Sequence, residues 1–281
     1  MKYRDLIFWG EKKLSANNMD KKQSTLLIKH FLKEEKINLI WDKDVCILNK
    51  RKFLKAINKI INHYPLQYIT KNVNFYGYNF EIEKGVLIPR FETEELVEKT
   101  KEYILKYFPD QVEILDIGTG TGVIGITLKK QIPNSNVTLI DISQKALKKA
   151  ASNAENLQVK VNIVKSDIIK NIKDKKFDIL ISNPPYLRKK EKIMKVVKKN
   201  EPKRALYGGK DGLKYYRKIL EGASKIMNEK FLIAFEIGDS QKEEILKIAN
   251  QNISDINFEV KRDLQGRERM LFIFKNLMIK K

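Results

Sequence analysis

The fold is decided by one stretch of the chain, VEILDIGTGTG at residues 112–122. Its first six residues have the apolar character of a buried strand, and the glycines that follow allow a tight backbone turn and a close approach of a ligand to the main chain. A helical segment comes next. Because ligands of open parallel sheets bind where strands end, the stretch predicts a strand, a ligand-binding loop and a helix of an α/β sheet.

The second half of the chain repeats this pattern. Strand-like segments lie at 112–117, 136–141, 159–164, 177–182, 231–237, 256–262 and 270–275, mostly with helical segments between them. Central strands this uniformly apolar are typical of a parallel sheet whose two faces are both covered. The last two segments are joined by a hairpin-like turn at 263–267. The sequence therefore predicts an α/β fold, a mostly parallel, seven-stranded Rossmann-like sheet that ends in an antiparallel hairpin.

The first 70 residues predict helices instead. Phe53, Ile57, Ile60 and Ile61, with Leu54, share one helix face, and a second helix is indicated by Leu26, Leu27 and Phe31. Residues 72–84 alternate aromatic and polar side chains around a glycine, which is typical of a β-hairpin. We expect a helical substrate-recognition domain at 1–70, a β-hairpin connector at 71–86 and a catalytic domain at 87–281.

Composition limits the classes of function. The chain has 281 residues and a net charge of +21, carried by 47 Lys and 9 Arg. Lysines spread along the whole chain indicate a compositional bias more than a nucleic-acid groove, which favours the forked arginine side chain. The charge permits contact with RNA but does not require it. No segment has the length needed to span a bilayer, and the N-terminus lacks the pattern of a secretory signal.

Cysteine and histidine are scarce. The single cysteine, Cys46, excludes an internal disulfide framework and a thiolate metal cluster, and we expect it to be a small buried apolar residue. With His30 and His63 as the only histidines, no metal site is predicted. A reducing cytoplasm fits this composition best.

A second motif, Asn183-Pro184-Pro185-Tyr186, directly follows the strand segment 177–182. Two prolines stiffen the loop and hold the asparagine in extended geometry. The asparagine oxygen can accept one N–H of a planar amino group while a backbone carbonyl accepts the other, and the tyrosine offers a flat face. Taken alone, the motif could also be an ordinary tight turn.

The glycine loop by itself fits two cofactors. Gly120, Gly122 and Gly125 match G-x-G-x-x-G, and Asp141 follows Gly120 by 21 residues, as in dinucleotide-binding proteins. An NAD site is therefore open on this evidence. The neighbouring residues favour S-adenosylmethionine, because a second acidic segment at 166–168 could bracket an adenine and the motif at 183–186 lies where a methyl acceptor would bind.

Asp116 adds to this preference. A carboxylate two residues before the first glycine disfavours a pyrophosphate but suits the cationic amino acid end of S-adenosylmethionine. Structural roles are open for both strand-end acids: Asp116 could cap the following helix, and Asp141 could do the same before Ser143.

The chain resembles class I S-adenosylmethionine-dependent methyltransferases that modify planar amino groups. Further motifs make it similar to the peptide chain release factor glutamine methyltransferases (the PrmC/HemK family): PLQYI at 65–69, LIPR at 87–90, ETE at 92–94, EP at 201–202, AL at 205–206, GKDGL at 209–213, Asp263 and QGRER at 265–269. One departure is Phe91-Glu92, where family members often carry Pro-Asp. The carboxylate is kept.

The resemblance implies roles for individual residues. The methionine and ribose portions of the cofactor would lie along Gly118, Thr119, Gly120, Thr121 and Gly122. Asp141 would hold the ribose hydroxyls, and Asp167 with Ile168 would border the adenine. The substrate glutamine would be held by Asn183, Pro184, Pro185 and Tyr186, of which Asn183, Pro184 and Tyr186 are the candidate catalytic residues, and Asn183 also borders the cofactor.

The function that the resemblance implies is methylation of the glutamine amide in the Gly-Gly-Gln motif of bacterial release factors, by a monomer. An enzyme that methylates adenine or guanine amino groups of DNA or rRNA is the alternative, although no target-recognition insertion for a flipped base is evident. A non-catalytic module that keeps the cofactor fold is a third possibility, which the intact motif at 183–186 disfavours.

Three weaker signals have two readings each. Arg90 could help to close the site or form a structural ion pair. The basic run at 188–199 could be a solvated face or a docking surface for an acidic partner or RNA. The turn at 265–267 could be a plain hairpin tip or lie near the substrate.

Overall fold

A computed structural model describes residues 1–33, 40–172 and 175–277 of the chain. Contacts divide these residues into two compact units. One contains the described residues of Met1–Asn72 together with Ile193–Asn200, and the other contains those of Val73–Lys192 and Glu201–Lys281. Within the described ranges, no helix is both long and apolar enough to cross a membrane.

The helices and strands follow one another in this order: α1 (Tyr3–Ser15), α2 (Lys22–Leu32), α3 (Ile47–Ile61), α4 (Leu66–Thr70), β1 (Asn72–Phe75), β2 (Tyr78–Glu81), α5 (Phe91–Tyr107), β3 (Val112–Ile117), α6 (Val123–Gln131), β4 (Ser135–Asp141), α7 (Gln144–Asn156), β5 (Asn162–Lys165), β6 (Phe177–Ser182), α8 (Lys195–Asn200), α9 (Lys214–Ile226), β7 (Met227–Glu236), α10 (Lys242–Asn252), β8 (Ile256–Arg262) and β9 (Glu268–Lys275). A 3₁₀ turn, Lys203–Ala205, precedes α9.

The first unit is helical. Phe53, Ile57 and Ile60 of α3 are buried in its core, as the predicted helix face requires. The core also contains Leu6 of α1 and Leu27 of α2. By its contacts α8 belongs to this unit, where Asn200 donates from its side chain to the His63 carbonyl at 2.6 Å.

The single cysteine is exposed, so the prediction of a small buried apolar residue is wrong. Cys46 lies at the N-cap of α3, and its sulfur accepts a hydrogen bond from the Asn49 backbone N–H at 3.4 Å. The residue before a helix supplies a side-chain acceptor to the first turn, and this capping position lies in solvent.

The second unit contains the seven-stranded sheet, in the order β5-β4-β3-β6-β7-β9-β8. Pairing is parallel from β5 to β7 and antiparallel for β7 with β9 and for β9 with β8. The predicted fold, a mostly parallel sheet with a C-terminal antiparallel hairpin, is confirmed. The order of β3, β4 and β5 runs toward one edge, after which the chain returns to place β6 on the other side of β3. This reversal opens a crevice at the carboxyl ends of β3 and β6.

Both faces of the sheet are covered, which explains the unbroken apolar runs. Because side chains alternate along a strand, Leu232 and Ala234 of β7 pack in the cluster with α5 and α6. Ile233 and Phe235 pack on the opposite face with α9 and α10. Each such Leu, Ile or Phe contributes about 1.5–3 kcal/mol by leaving water.

Strand β5 is shorter than the sequence predicts, and the predicted β-hairpin is present. The strand expected at 159–164 begins later, at Asn162, because the Val159 N–H is used to close the end of α7 on the Ala154 carbonyl at 2.9 Å. The hairpin β1–β2 forms as expected, and Phe75 and Phe80 are buried in the core of the sheet unit.

Candidate active site

A cavity of about 320 Å³ lies at the carboxyl ends of the parallel strands, entirely within the sheet unit. The segments after β5, β4, β3 and β6 supply its walls. Ten of the residues singled out from the sequence line it: Gly118, Thr119, Gly120, Thr121, Asp141, Asp167, Ile168, Asn183, Pro184 and Pro185. Asp116, Gly122 and Tyr186 are not part of the lining.

The glycine loop after β3 is held by its backbone. The N–H groups of Gly118 and Thr119 both donate to the Ile140 carbonyl at 2.9 Å. Gly122 ends the loop at a φ of +85°, which L side chains rarely adopt, and a Cβ there would lie 2.6 Å from Ile126 Cδ1. Glycine is therefore required where α6 begins, and the loop backbone lies open along the cavity wall.

Asp116 lies beneath this loop. Its side chain is fully buried, and Oδ2 accepts from Thr119 Oγ1 at 2.6 Å and from the Gly125 N–H, in the first turn of α6, at 3.0 Å. Burial raises the pKa of this carboxyl to about 7. Asp116 Oδ1 has no hydrogen-bond partner among the described residues, and the expected contact of this carboxyl with the cationic end of a cofactor stays a prediction. The capping alternative fits, because the carboxyl holds the loop to the helix that follows it.

Asp141 is the last residue of β4 and lines the cavity. Its Oδ2 accepts from the Gly120 N–H at 3.0 Å, and its Oδ1 accepts from the Ser143 N–H at 2.7 Å. Burial raises the pKa of the carboxyl. Each oxygen keeps a lone pair for a further donor, so the side chain is oriented by the protein and can still accept from two neighbouring hydroxyls.

The end of β5 supplies the next part of the wall. The Ser166 N–H donates to the Asp141 carbonyl at 3.1 Å, which joins this segment to β4. Asp167 and Ile168 line the cavity. Ile168 has a φ of +57°, a left-handed conformation that costs a β-branched residue on the order of 1–2 kcal/mol. The surrounding structure therefore holds the Ile168 backbone in a conformation that isoleucine disfavours, and this conformation places an apolar residue in the cavity wall.

Asn183 is anchored by Thr93, the middle residue of the ETE motif at 92–94, and by Glu236, which belongs to none of the motifs named above. Its Nδ2 donates to Thr93 Oγ1 at 3.0 Å and to Glu236 Oε2 at 2.8 Å, and Thr93 Oγ1 donates to the same Glu236 oxygen at 2.6 Å. Within the described part of the chain, no group donates to Asn183 Oδ1. Both side-chain amide hydrogens are used, and Oδ1 is the remaining polar atom of this side chain, whose residue lines the cavity.

Glu236 is the last residue of β7 and is 1% exposed. Burial raises the pKa of its carboxyl. The Tyr186 hydroxyl donates to its Oε1 at 3.3 Å, and the Arg269 guanidinium lies 5.7 Å from the centre of the Tyr186 ring. The sequence did contain a sign of this role, because Glu236 is the one acidic residue in the otherwise apolar segment 231–237. A carboxylate buried in a strand needs hydrogen-bond partners.

The loop that carries Asn183 is supported from outside the cavity. The Leu187 N–H donates to the Leu206 carbonyl at 3.0 Å, and the Gln241 side chain donates to the Tyr186 carbonyl at 3.1 Å. Gly212, at a φ of +83°, approaches so closely that a Cβ would lie 2.4 Å from the Tyr186 carbonyl oxygen. These contacts fix the backbone after the two prolines.

Arg90 has the geometry of a structural ion pair. Its Nη2 bonds Glu201 Oε1 at 2.6 Å, and Glu201 Oε2 accepts from the Ile88 N–H at 3.2 Å. The pair joins two segments whose neighbours Pro89 and Pro202 line the cavity. The turn at 265–267 is a hairpin tip closed on Asp263, whose Oδ1 accepts from Gln265 and Arg267, and it is not part of the lining.

Acidic and basic groups at the site do not form a metal centre. Across residues 1–33, 40–172 and 175–277, no group of three or more His, Cys, Asp or Glu residues is arranged to hold a metal ion.

Comparisons with known proteins identify the family. The model of the methyltransferase small domain matches residues 91–208. A release factor glutamine methyltransferase from Bacillus anthracis is 34% identical over 97% of this chain and 99% of its own length. One from Clostridium botulinum is 36% identical over 95% of this chain and 97% of its own length.

The fold has counterparts among solved structures. A methyltransferase from Pyrococcus furiosus superposes with a TM-score of 0.54 at 20% identity, covering 82% of this chain and 99% of that one. The glycine loop, the strand-end aspartate and the anchored asparagine thus occur in a chain that is similar to these enzymes over nearly its whole length. The chain belongs to the release factor glutamine methyltransferases.

Proposed function

We propose that this protein transfers a methyl group from S-adenosylmethionine to the side-chain amide nitrogen of the glutamine in the Gly-Gly-Gln motif of bacterial release factors. The observation that carries the proposal is the anchored Asn183 amide, whose two hydrogens are bound to Thr93 and Glu236. This leaves a carbonyl oxygen, the group that can accept an N–H from a flat carboxamide. Relatives named for this activity support the substrate.

The cavity has the features that S-adenosylmethionine needs. Its wall is largely apolar, as in most cofactor sites, and Gly118 and Gly120 present backbone without side chains. Asp141 has free lone pairs for the ribose hydroxyls, and Asp167 with Ile168 would border the adenine. When bound, this cofactor supplies a methyl group already activated on a sulfonium. Asp116 would also keep the glycine loop in place against the helix that follows it.

The protein's own contribution is alignment. An amide nitrogen is a weak nucleophile because its lone pair is delocalised into the carbonyl. In the proposed complex, Asn183 Oδ1 and the Pro184 carbonyl each accept one N–H of the substrate amide, which directs the nitrogen at the methyl group. Near-attack positioning of this kind can lower a barrier by on the order of 7–11 kcal/mol. The same two oxygens favour the positive charge that develops on nitrogen.

No strong base is needed at the site, since the proton can leave after transfer. Among the described residues that line the cavity there is no histidine. Pro185 and the Tyr186 ring would pack against the planar amide and exclude water. The Tyr186 hydroxyl has a further task, because it donates to the carboxylate that anchors Asn183.

Recognition of the protein substrate is assigned to the helical unit and the basic run. The side chains of Arg188, Lys189, Lys190, Lys192, Lys195, Lys198 and Lys199 are all exposed, so they can meet an acidic surface of a release factor. A monomer acting in the cytoplasm is sufficient for this reaction. Direct binding of nucleic acid is not required.

Labelled methyl transfer, with substrates offered in parallel, tests the proposal. A release factor, its Gln→Ala variant in the Gly-Gly-Gln loop, DNA and rRNA each receive the enzyme and radiolabelled S-adenosylmethionine. We expect label in the unaltered release factor alone. Label in DNA or rRNA, or equal label in the Gln→Ala variant, would contradict the proposal. A titration with NAD serves as the cofactor control, and we expect no binding.

A further inference from the structure

Three side chains from distant parts of the sequence meet behind the acceptor end of the cavity. Thr93 lies in the first turn of α5, Asn183 follows β6, and Glu236 ends β7. Thr93 and Glu236 are 2% and 1% exposed. They lie 90 and 53 residues from the asparagine, so no local motif links them. Their mutual hydrogen bonds form a closed triangle.

The triangle selects one of two orientations of the Asn183 amide. A side-chain amide can occupy the same space after a half-turn, with its oxygen and nitrogen exchanged. The Thr93 hydroxyl has one proton, which it donates to Glu236 at 2.6 Å, so it offers Asn183 only a lone pair. Glu236 Oε2 also offers only lone pairs when ionised. Both neighbours can therefore only accept a hydrogen bond from Asn183. After a half-turn, Asn183 Oδ1 would face two acceptor oxygens without a hydrogen between them.

This selection depends on the charge of Glu236. A protonated carboxyl could donate to a half-turned amide and would stabilise the wrong orientation. The charged and titratable groups around Glu236 are Glu92 on α5, Tyr186 after β6, Tyr216 on α9 and Arg269 on β9. Arg269 favours the carboxylate and Glu92 opposes it. Arg269 is itself fixed, because it bonds the Ile237 carbonyl at 2.8 Å and Asp263 at 3.3 Å.

We propose that Thr93 and Glu236 are positioning residues that hold the Asn183 amide with its oxygen toward the methyl acceptor. This inference rests on the proposed function. Neither residue needs to touch the substrate nitrogen, since each acts through Asn183. The Glu236 carboxylate and the Thr93 hydroxyl each accept an N–H from Asn183. The hydroxyl also donates to the carboxylate, so it has no proton left for the oxygen of a half-turned amide.

The test compares two substitutions of one residue. Thr93→Val keeps the shape of the side chain but removes the hydroxyl, and Thr93→Ser keeps the hydroxyl. We expect Thr93→Val to lower kcat about 10- to 100-fold, the scale of a misdirected reacting group, with little change in cofactor affinity or in KM for the release factor. Thr93→Ser should restore most of kcat. Equal kcat for wild type and Thr93→Val, or equal loss in both variants, would overturn the inference.

A matched control separates the hydroxyl's role from general damage to the core. Thr127 is also fully buried, and its hydroxyl has no hydrogen-bond partner among the described residues. Thr127→Val is therefore the same chemical change at a position outside the site. It should leave kcat unchanged, whereas a loss as large as that of Thr93→Val would assign both effects to packing.

The pH profile supplies a second readout. Because burial raises the pKa of Glu236, its protonation begins at a higher pH than for an ordinary glutamate, and kcat should fall as the pH falls through that value. Glu236→Gln keeps an acceptor but cannot titrate. We expect it to lower kcat at neutral pH and to flatten the acidic limb of the profile. An acidic limb identical to that of the wild type would contradict the role of the carboxylate.

Hydrogen exchange of the Asn183 side-chain amide tests the anchoring without turnover. Its NMR signals are identified by their loss in Asn183→Ala. We expect exchange much slower than that of Asn250, which is exposed on α10, and at least about tenfold faster exchange in Thr93→Val, since buried bonded groups exchange only on opening. Fast exchange in the wild type would overturn the inference even where release factor methylation is seen. Methylation that is absent despite slow exchange would instead count against the proposed function.

Discussion

The two halves of the carboxyl edge of the sheet are built in different ways. On the side of β5, β4 and β3, the backbone positions the groups: Gly118 and Thr119 donate to Ile140, and Gly120 donates to Asp141. On the side of β6 and β7, buried side chains position one another around Asn183. The first arrangement suits a cofactor gripped along its length. The second fixes a single atom, and we expect the halves to fail differently when altered.

The largest effect is expected from Asn183→Ala. Loss of the acceptor oxygen should lower kcat by about 10³-fold, near the upper end of what one preorganised electrostatic group contributes. Cofactor affinity should change little, because the other half of the edge is intact. Single-turnover kinetics and calorimetric titration measure the two quantities. Asn250→Ala, at an exposed position of α10, is the control, and near-normal turnover by Asn183→Ala would contradict the role of this side chain.

Asp141→Ala should give the opposite pattern. In the proposed complex the Asp141 carboxylate accepts from the ribose hydroxyls, and charged hydrogen bonds contribute about 1.5–3 kcal/mol each. We expect the dissociation constant for S-adenosylmethionine to rise about 10- to 100-fold, with most of kcat retained at saturating cofactor. Asp110→Ala, an exposed position before β3, should match the wild type. If Asp141→Ala bound S-adenosylmethionine normally but had a low kcat, Asp141 would behave like Asn183, and the two halves of the edge would not differ in function.

Asp116 links the glycine loop to stability. Its folded pKa of about 7 lies above the ordinary value of 3.8, so between these values the folded state binds more protons than the unfolded state. Rising pH therefore favours unfolding across this range. Asp116→Asn cannot titrate and should remove this part of the decline in the free energy of unfolding. Denaturant titrations at several pH values measure it, and an unchanged pH dependence in the variant would contradict the burial argument.

The smallest effect is expected at the adenine end. Ile168→Ala removes part of an apolar wall of the cavity, worth about 1 kcal/mol, so cofactor affinity should fall about fivefold with kcat unchanged. Ile47→Ala, at an exposed position of α3, is the control. Equal affinity in Ile168→Ala and wild type would mean that this wall does not contact the bound cofactor.

The difference between the halves also explains what the sequence could predict. Residues 112–122 encode strand, loop and helix start in one contiguous stretch, because backbone geometry there depends on local glycines. The mostly parallel sheet and its closing hairpin follow from the apolar runs and one turn, whereas the strand order does not. The cofactor half was therefore accessible from a motif, although the motif could not show that Asp116 lies under the loop.

The acceptor half was only partly accessible. The motif at 183–186 marks the asparagine, but its partners lie far away in sequence, and only the folded sheet brings the end of β7 beside the end of β6. The prediction that Cys46 is buried was wrong for a related reason. Its exposure depends on whether it lies on the buried face of a helix or at the N-cap, and the composition does not show which. The start of β5 was missed because the Val159 N–H bonds the Ala154 carbonyl at the end of α7, which the apolar pattern does not reveal.

The central claim is that one asparagine oxygen, fixed from behind, grips the substrate amide. A crystal structure of the enzyme with S-adenosylhomocysteine and a peptide containing Gly-Gly-Gln tests it most directly. We predict Asn183 Oδ1 at about 2.9 Å from the glutamine nitrogen, with Nδ2 still bound to Thr93 and Glu236. A side chain that presents Nδ2 to the peptide, or a glutamine bound away from Asn183, would contradict the account.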